Sequence, residues 1–133
     1  MLIEWNSSFS VGHPQIDNDH KKLIALLNTL CEEMNKQKGR EAVRTVLLEL
    51  VDYTRTHFAR EESYMQATKY PAYEDHHAKH VALIEQAADL MRREANNESV
   101  VTIATLNFLR QWLTDHIQGD DRALGAYLAT HQS

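Results

Sequence analysis

Apolar residues recur every three or four positions along most of the chain, and this period predicts α-helices rather than strands. The first such pattern starts at Pro14, a residue that suits the first turn of a helix, and Asp17 is placed to cap or complement that start. Gly39 is predicted to end this helix. One apolar stripe should face the core, and it contains Ile16, His20, Leu23, Ile24, Leu27, Leu30, Cys31 and Met34.

Two further helices are predicted over about residues 41–67 and 74–95. The segment KYPAY, residues 69–73, lies between them. It is predicted to be a loop, because Pro71 and the residue before it both resist helical conformation.

A fourth helix is predicted over about residues 100–118, with Asn96-Asn97 ending the helix before it and Ser99 as its N-cap. The segment Gly119-Asp120-Asp121 is predicted to interrupt the chain before a short last helix over about residues 122–129. Ser99 is favoured because its hydroxyl can accept a hydrogen bond from a free backbone N–H of the first turn.

Four long helices joined by short turns predict an all-α, up-down-up-down four-helix bundle. Residues 1–13 are predicted to be an N-terminal arm with apolar anchors at Leu2, Trp5, Phe9 and Val11. A length of 133 residues is typical of one domain, and scarce Gly (4) and Pro (2) favour long helices. We therefore expect residues 1–133 to form a single domain.

Composition excludes several classes of partner. The net charge is -5 with histidine neutral, and no basic patch is present, so nucleic acid is an unsuitable ligand. No apolar run approaches the roughly 20 residues that a membrane span needs. The start, MLIEWNSSF, has neither the basic nor the apolar region of a signal peptide. A cytoplasmic protein without membrane insertion is the expectation.

Eight histidines are unusual in a small acidic protein, and five of them fall in informative positions. The segment HFARE places His57 and Glu61 four residues apart, and HHAKH does the same for His76 and His80. Residues four apart share one face of a helix and can bind one ion. Each pair alone is weak evidence: a His-Glu pair at this spacing is more often an exposed surface pair, and a His-His pair is a stronger indication of a metal site.

Asp121 lies five residues after His116, which is a less favourable spacing. Five residues of an ideal helix rotate by roughly 500°, so the two side chains would point about 140° apart. Asp121 can join His116 at one site only if the helix breaks between them, and Gly119 is the expected place of that break.

The register of the predicted helices places these residues at one height. His20 lies 19 residues before Gly39, and His57 lies 18 residues after it. His80 and His116 are related in the same way to the turn at Asn97. At a rise of about 1.5 Å per residue, each pair is level in an antiparallel bundle. The predicted ligand set is His20, His57, Glu61, His76, His80, His116 and Asp121.

This ligand set favours two metal ions rather than one. Five histidines are too many for one tetrahedral zinc. Two octahedral ions offer about twelve positions, and imidazole with carboxylate suits iron. If both carboxylates bridge, which is a hypothesis at this point, and an oxide or hydroxide also bridges, one position is left open. A diatomic ligand would bind there.

The segments DNDH (17–20), HFAREE (57–62), HHAKH (76–80) and WLTDHIQGDD (112–121), with Trp5 in the arm, resemble the hemerythrin family, and in particular its bacterial single-domain members. The resemblance implies a diiron centre with an oxo or hydroxo bridge. It implies that His76, His80 and His116 bind the coordinatively full iron, that His20 and His57 bind the iron with the open site, and that Glu61 and Asp121 bridge. It also implies an oxygen pocket lined by Trp112, Leu113, Ile117 and Phe58.

The resemblance implies reversible binding of molecular oxygen, for transport, storage or delivery to an oxygen-using enzyme, rather than catalysis. A diiron peroxidase, a nitric-oxide-handling protein, an oxygen sensor and an iron sink are the alternatives, since the same open site would serve them. No acid, base or nucleophile is visible beside the pocket apart from the ligands. A peroxidase-type side activity is compatible with the sequence. His13, His77 and His131 are predicted to have surface or incidental roles.

Overall fold

The computed structural model describes residues 2–36, 40–96, 98 and 101–131, and every regular element in those ranges is helical. Four helices form an up-down-up-down bundle, which confirms the predicted fold. They are followed by a five-residue π-helical turn, Ile117–Asp121, and a short last helix. The helices are α1 (Pro14–Lys36), α2 (Arg40–Ala67), α3 (Tyr73–Ala95), α4 (Ile103–His116) and α5 (Arg122–Thr130).

Most predicted helix ends agree with the structure to within a few residues. The start of α1 at Pro14 and the end of α3 at Ala95 are confirmed. The start of the fourth helix is wrong: α4 begins at Ile103, because the side chain of Thr102 accepts a hydrogen bond from the N–H of Thr105 at 3.1 Å. The predicted stops at Gly39 and Asn97 and the predicted N-cap Ser99 lie outside the described residues.

His13 caps the start of α1, and Asp17 complements that start from the first turn, as predicted. The Nδ1 atom of His13 accepts a hydrogen bond from the N–H of Ile16 at 3.3 Å. Asp17 lies in the first turn, as predicted, but its carboxylate accepts hydrogen bonds from the N–H of Val11 and the hydroxyl of Ser10, both at 2.8 Å. Asp17 therefore ties the arm to the helix.

The prediction that residues 119–121 interrupt the helix is wrong, because a π-helical turn covers these residues. The chain stays helical, and the N–H of Arg122 donates to the carbonyl of Ile117, five residues earlier. Such i to i+5 bonds define a π-helical turn, which holds one more residue per turn than an α-helix. Gly119 does not adopt a left-handed conformation; among the described glycines, only Gly12 has a positive φ, at 79°.

The arm packs along the bundle and is held by specific contacts. The side chain of Asn28 accepts hydrogen bonds from the N–H groups of Leu2 and Ile3, both at 2.9 Å, and donates to the carbonyl of Ile3. Gly125 of α5 lies directly under the arm, since a Cβ atom there would be 2.0 Å from the carbonyl oxygen of Val11. Of the predicted anchors, Phe9 and Val11 are buried, and Leu2 and Trp5 are half-buried.

The apolar stripe of α1 faces the core as predicted. Its members Ile16, Leu23, Leu27 and Leu30 are all at most 2% exposed. His20 is buried in the same stripe, so α1 brings an imidazole into the interior among aliphatic side chains. Among the described residues, no helix is both long enough and apolar enough to cross a membrane.

Candidate metal centre

Seven buried histidine and carboxylate side chains meet inside the bundle, and none is more than 4% exposed. Their possible ligand atoms form two groups, and within each group the atoms all lie within 4.8 Å of one another. Both groups share the same two carboxylates. One group contains Glu61, His76, His80, His116 and Asp121, and the other contains His20, His57, Glu61 and Asp121. The structure thus brings together all seven residues of the predicted set.

Helical spacing positions the members that come from α2 and α3. The Nε2 atom of His57 lies 3.0 Å from an oxygen of Glu61, one turn later in α2. In α3 the rings of His76 and His80 are related in the same way, with centroids 4.6 Å apart. The ring of His20 reaches this layer from α1 and lies 4.7 Å from the ring of His57.

Glu61 presents one carboxylate oxygen to each group. Its Oε2 atom lies 3.0 Å from Nε2 of His57, and its Oε1 atom lies 3.1 Å from Nε2 of His80. The side chain therefore spans the gap between the two sets of histidines. This is the arrangement that a bridging carboxylate requires.

Asp121 spans the same gap from the opposite side of the cluster. Its Oδ2 atom lies 2.8 Å from Nε2 of His20, and its Oδ1 atom lies 3.1 Å from Nε2 of His116. Five residues separate His116 from Asp121, and the π-helical turn between them makes five residues about one full turn. The two side chains therefore share a face without the break that the sequence suggested.

The cluster attracts positive charge strongly. Burial opposes the charged form of His57, but the negative charge of Glu61 and the hydrogen bond to Asp19 raise the pKa of His57 from 6.5 to about 9. Burial likewise opposes ionisation of Glu61, yet His57 and His116 hold the pKa of that carboxyl well below its ordinary value of 4.5. Two ionised carboxylates in a dry layer need cations beside them, either protons on the imidazoles or metal ions.

Several atoms of the cluster lack any partner in hydrogen-bond geometry within the described part of the chain. They include both oxygens of Glu61 and of Asp121, both ring nitrogens of His20, and Nε2 of His57. Leaving one such buried atom unsatisfied costs about 1–3 kcal/mol. Metal ions at the two groups would satisfy the carboxylate oxygens and the Nε2 atoms of His20 and His57, and imidazole with carboxylate is a donor set that suits iron. The residues present therefore fit a pair of metal ions.

Three carboxylates that sequence reasoning missed lie behind three of the histidines. Each accepts a hydrogen bond from an Nδ1 atom, which leaves Nε2 free to face the cluster. The pairs are His57 with Asp19 at 2.9 Å, His80 with Glu62 at 2.8 Å and His116 with Asp120 at 3.1 Å. The sequence did contain a signal for them, because each is the immediate neighbour of a cluster residue.

A small apolar pocket lies next to the cluster, with a volume of about 50 Å³. Phe58, Trp112 and Leu113 line it, in agreement with the sequence-based prediction. Ile117 is not among its lining residues and is instead a core residue that is 1% exposed. The lining residues that the sequence did not identify are Leu23, Leu27, Leu50, Thr54, Leu83 and Leu109.

The remaining histidines lie outside the cluster. His77 has a side chain that is 40% exposed and stacks on Tyr73. His13 caps α1, and His131 stacks on Tyr127 at the end of α5. His77 and His131 agree with the surface or incidental roles expected for them, whereas His13 is half-buried and has a structural role at the start of α1.

Comparison with known proteins gives a consistent result. Residues 11–128 match the family model described as the hemerythrin HHE cation binding domain. The chain is 34% identical over 131 residues to a bacteriohemerythrin of Stenotrophomonas maltophilia, covering 98% of this chain and 84% of the relative. It is 30% identical to a bacteriohemerythrin of Methylococcus capsulatus, covering 96% and 98% of the two chains.

Similarity extends beyond bacteria and to a solved structure. A hemerythrin-like protein of Naegleria gruberi is 32% identical over 119 residues, which are 90% of this chain and 87% of the relative. A crystal structure of wild-type hemerythrin superimposes with a TM-score of 0.92 at 30% identity, covering 98% of this chain and 100% of that chain.

Proposed function

The chain belongs to the hemerythrin family, and from this premise we propose that its buried cluster holds two iron ions and binds molecular oxygen reversibly. The observation that carries the proposal is the shape of the cluster: two groups of donor atoms share Glu61 and Asp121. A site for one metal ion would not require two carboxylates that each face both groups of donor atoms.

The proposed assignment of ligands follows the two groups. His76, His80 and His116 would bind one ion, and His20 and His57 would bind the other. Glu61 and Asp121 would bind both ions, because each presents one oxygen to each group. The group with one histidine fewer would leave room for oxygen. The unequal number of histidines in the two groups supports this division.

When bound, the iron pair supplies two electrons that a diatomic oxidant takes up and returns. The protein's own contribution is to protect that exchange from water. Phe58, Trp112 and Leu113 surround the pocket with apolar surface, and its volume of about 50 Å³ suits a small gas molecule. Excluding water limits the entry of protons that would make the exchange irreversible.

Oxygen transport, storage or delivery to an oxygen-using enzyme is the role that this site supports best, without a catalytic step of its own. We propose that residues 1–133 act as one such domain, with residues 1–13 as its arm. The cytoplasmic location stays a prediction from the sequence.

The test uses the purified full chain loaded with Fe(II) under anaerobic conditions. Air is admitted and then purged over repeated cycles, while the visible spectrum and the iron content per chain are recorded. We expect two iron ions per chain and a colour that appears and disappears without added reductant. Colour that returns only after a reductant is added would favour an oxidase or peroxidase. A chain that takes up only one iron ion would overturn the proposal.

A further inference from the structure

Asp19 is a carboxylate at the centre of the bundle that belongs to neither group of donor atoms. It is 0% exposed and lies one residue before His20 in α1. That spacing turns its side chain about 100° away from His20, toward the neighbouring helix α2. Asp19 therefore serves a different histidine from the one beside it in sequence.

Each oxygen of Asp19 accepts two hydrogen bonds. Oδ2 accepts from Nδ1 of His57 and from Nε of Arg60, both at 2.9 Å. Oδ1 accepts from the hydroxyl of Tyr53 at 2.8 Å and from the amide of Gln15 at 3.3 Å. Because an ionised carboxylate only accepts, the hydrogen between Asp19 and His57 belongs to Nδ1 of the imidazole.

This hydrogen bond determines which nitrogen of His57 faces the cluster. In the neutral imidazole that a metal ion requires, Nδ1 keeps its proton and the lone pair lies on Nε2, which points at Glu61 from 3.0 Å. His20, the other histidine of the same group, has no hydrogen-bond partner at Nδ1 among the residues that the structure describes. Only one histidine of this group is thus oriented by a hydrogen bond to a carboxylate.

Glu62 and Asp120, which accept hydrogen bonds from His80 and His116, are more exposed to solvent than Asp19. The side chains of Glu62 and Asp120 are 21% and 29% exposed, whereas the side chain of Asp19 is 1% exposed. A charge in a dry environment acts more strongly on its neighbour than a charge screened by water. Asp19 should therefore influence its histidine more than they influence theirs.

We propose that Asp19 is the positioning residue of the His20 and His57 group: it fixes the tautomer and orientation of His57 and so sets the affinity of that group for its metal ion. This inference rests on the proposed function, because it assumes that His57 binds metal through Nε2. It adds a role for a residue that is not itself a ligand.

The first experiment compares Asp19→Asn with the wild-type chain in anaerobic titrations with Fe(II). We expect one of two binding steps to weaken by about 10- to 100-fold, which is the usual effect of removing such a partner. Glu62→Gln is the matched control, since it alters the partner of His80 in the other group. Glu62→Gln should weaken metal binding by the group that contains His80 by a smaller factor than Asp19→Asn weakens metal binding by the group that contains His57.

The second experiment detects the hydrogen bond between His57 and Asp19 by NMR. In the zinc(II)-loaded protein, nitrogen-15 NMR of the histidines should show Nδ1 of His57 protonated and its proton shifted downfield. Tyr53→Phe removes one competing donor from Asp19 without touching His57, so it should move that proton further downfield and leave the proton of His80 unchanged. This variant decides the question even if Asp19→Asn fails to fold.

The outcomes separate the two proposals. A wild-type chain that binds fewer than two metal ions contradicts the proposed function. A wild-type chain that binds two, with Asp19→Asn binding both equally well, contradicts only the role of Asp19. An unchanged His57 proton resonance in Tyr53→Phe also overturns that role.

Discussion

The ring of Phe58 lies flat against the imidazole of His80, with ring centroids 3.7 Å apart and planes within 6° of each other. Phe58 also lines the apolar pocket, so the pocket is one ring away from the cluster. Trp112 lines the same pocket and stacks on His116, with ring centroids 4.5 Å apart. The pocket and the cluster therefore form one unit, and changes to the pocket wall should alter the chemistry of the metal site.

Leu113→Ala enlarges this pocket without removing a proposed ligand. We expect faster irreversible oxidation, because the larger space admits water and protons next to the irons. The measurement is the loss of reversible oxygen binding over repeated cycles of air and purge. Leu48→Ala is the matched control, because Leu48 is 54% exposed on α2 and the substitution removes the same side-chain atoms from the surface. Equal lifetimes for the two variants would contradict a protective role for Leu113.

His57→Ala should bind one iron ion per chain instead of two, because the group that contains His20 and His57 would keep one histidine. Iron content after anaerobic loading and gel filtration measures this directly. His131→Ala is the control, since His131 lies outside both groups and stacks on Tyr127 at the end of α5. Two irons and normal oxygen binding in His57→Ala would refute the assignment of His57.

The two glycines near the end of the chain should respond oppositely to alanine. A Cβ atom at Gly125 would lie 2.0 Å from the carbonyl oxygen of Val11, so Gly125→Ala should lower the free energy of unfolding by about 1–3 kcal/mol. Nothing lies within 4 Å of the corresponding position at Gly119, so Gly119→Ala should raise it by up to about 1 kcal/mol.

Urea denaturation of the metal-free variants measures both effects against the wild-type chain. The metal-free state is used so that changes in metal affinity do not enter the comparison. A larger loss of stability at Gly119 than at Gly125 would show that Gly119 is needed for a special backbone conformation after all.

The metal-free protein should lose stability as the pH rises above neutrality. The pKa of His57 is about 9 in the fold against 6.5 in the unfolded chain. A raised histidine pKa stabilises the fold fully below pH 6.5, and this contribution declines as the pH approaches 9. For His57 the loss is on the order of 3 kcal/mol.

The metal-loaded protein should behave differently over the same range. Metal ions bind only deprotonated histidines, so the stability gained on loading with Fe(II) should increase with pH. Urea midpoints at pH 6 and pH 8, with and without metal under anaerobic conditions, measure both trends. A metal-free chain that becomes more stable toward pH 8 would contradict the raised pKa of His57.

The sequence determined the helices and the membership of the cluster. The helical period of apolar residues located α1, α2 and α3, because one face of each must be buried. The four-residue spacing of His57 with Glu61 and of His76 with His80 placed each pair on one face, since that relation depends only on local helix geometry. The level register of His20 and His57 followed from the constant rise per residue.

Only the tertiary structure decided how Asp121 joins His116 and which carboxylates support the histidines. The π-helical turn depends on an i to i+5 bond between Ile117 and Arg122, and no local residue preference distinguishes it from a break at Gly119. The pairing of Asp19 with His57 depends on how α1 and α2 are rotated about their axes. Rotation is set by packing among all the helices, so contacts between residues far apart in sequence are fixed only when the bundle is assembled.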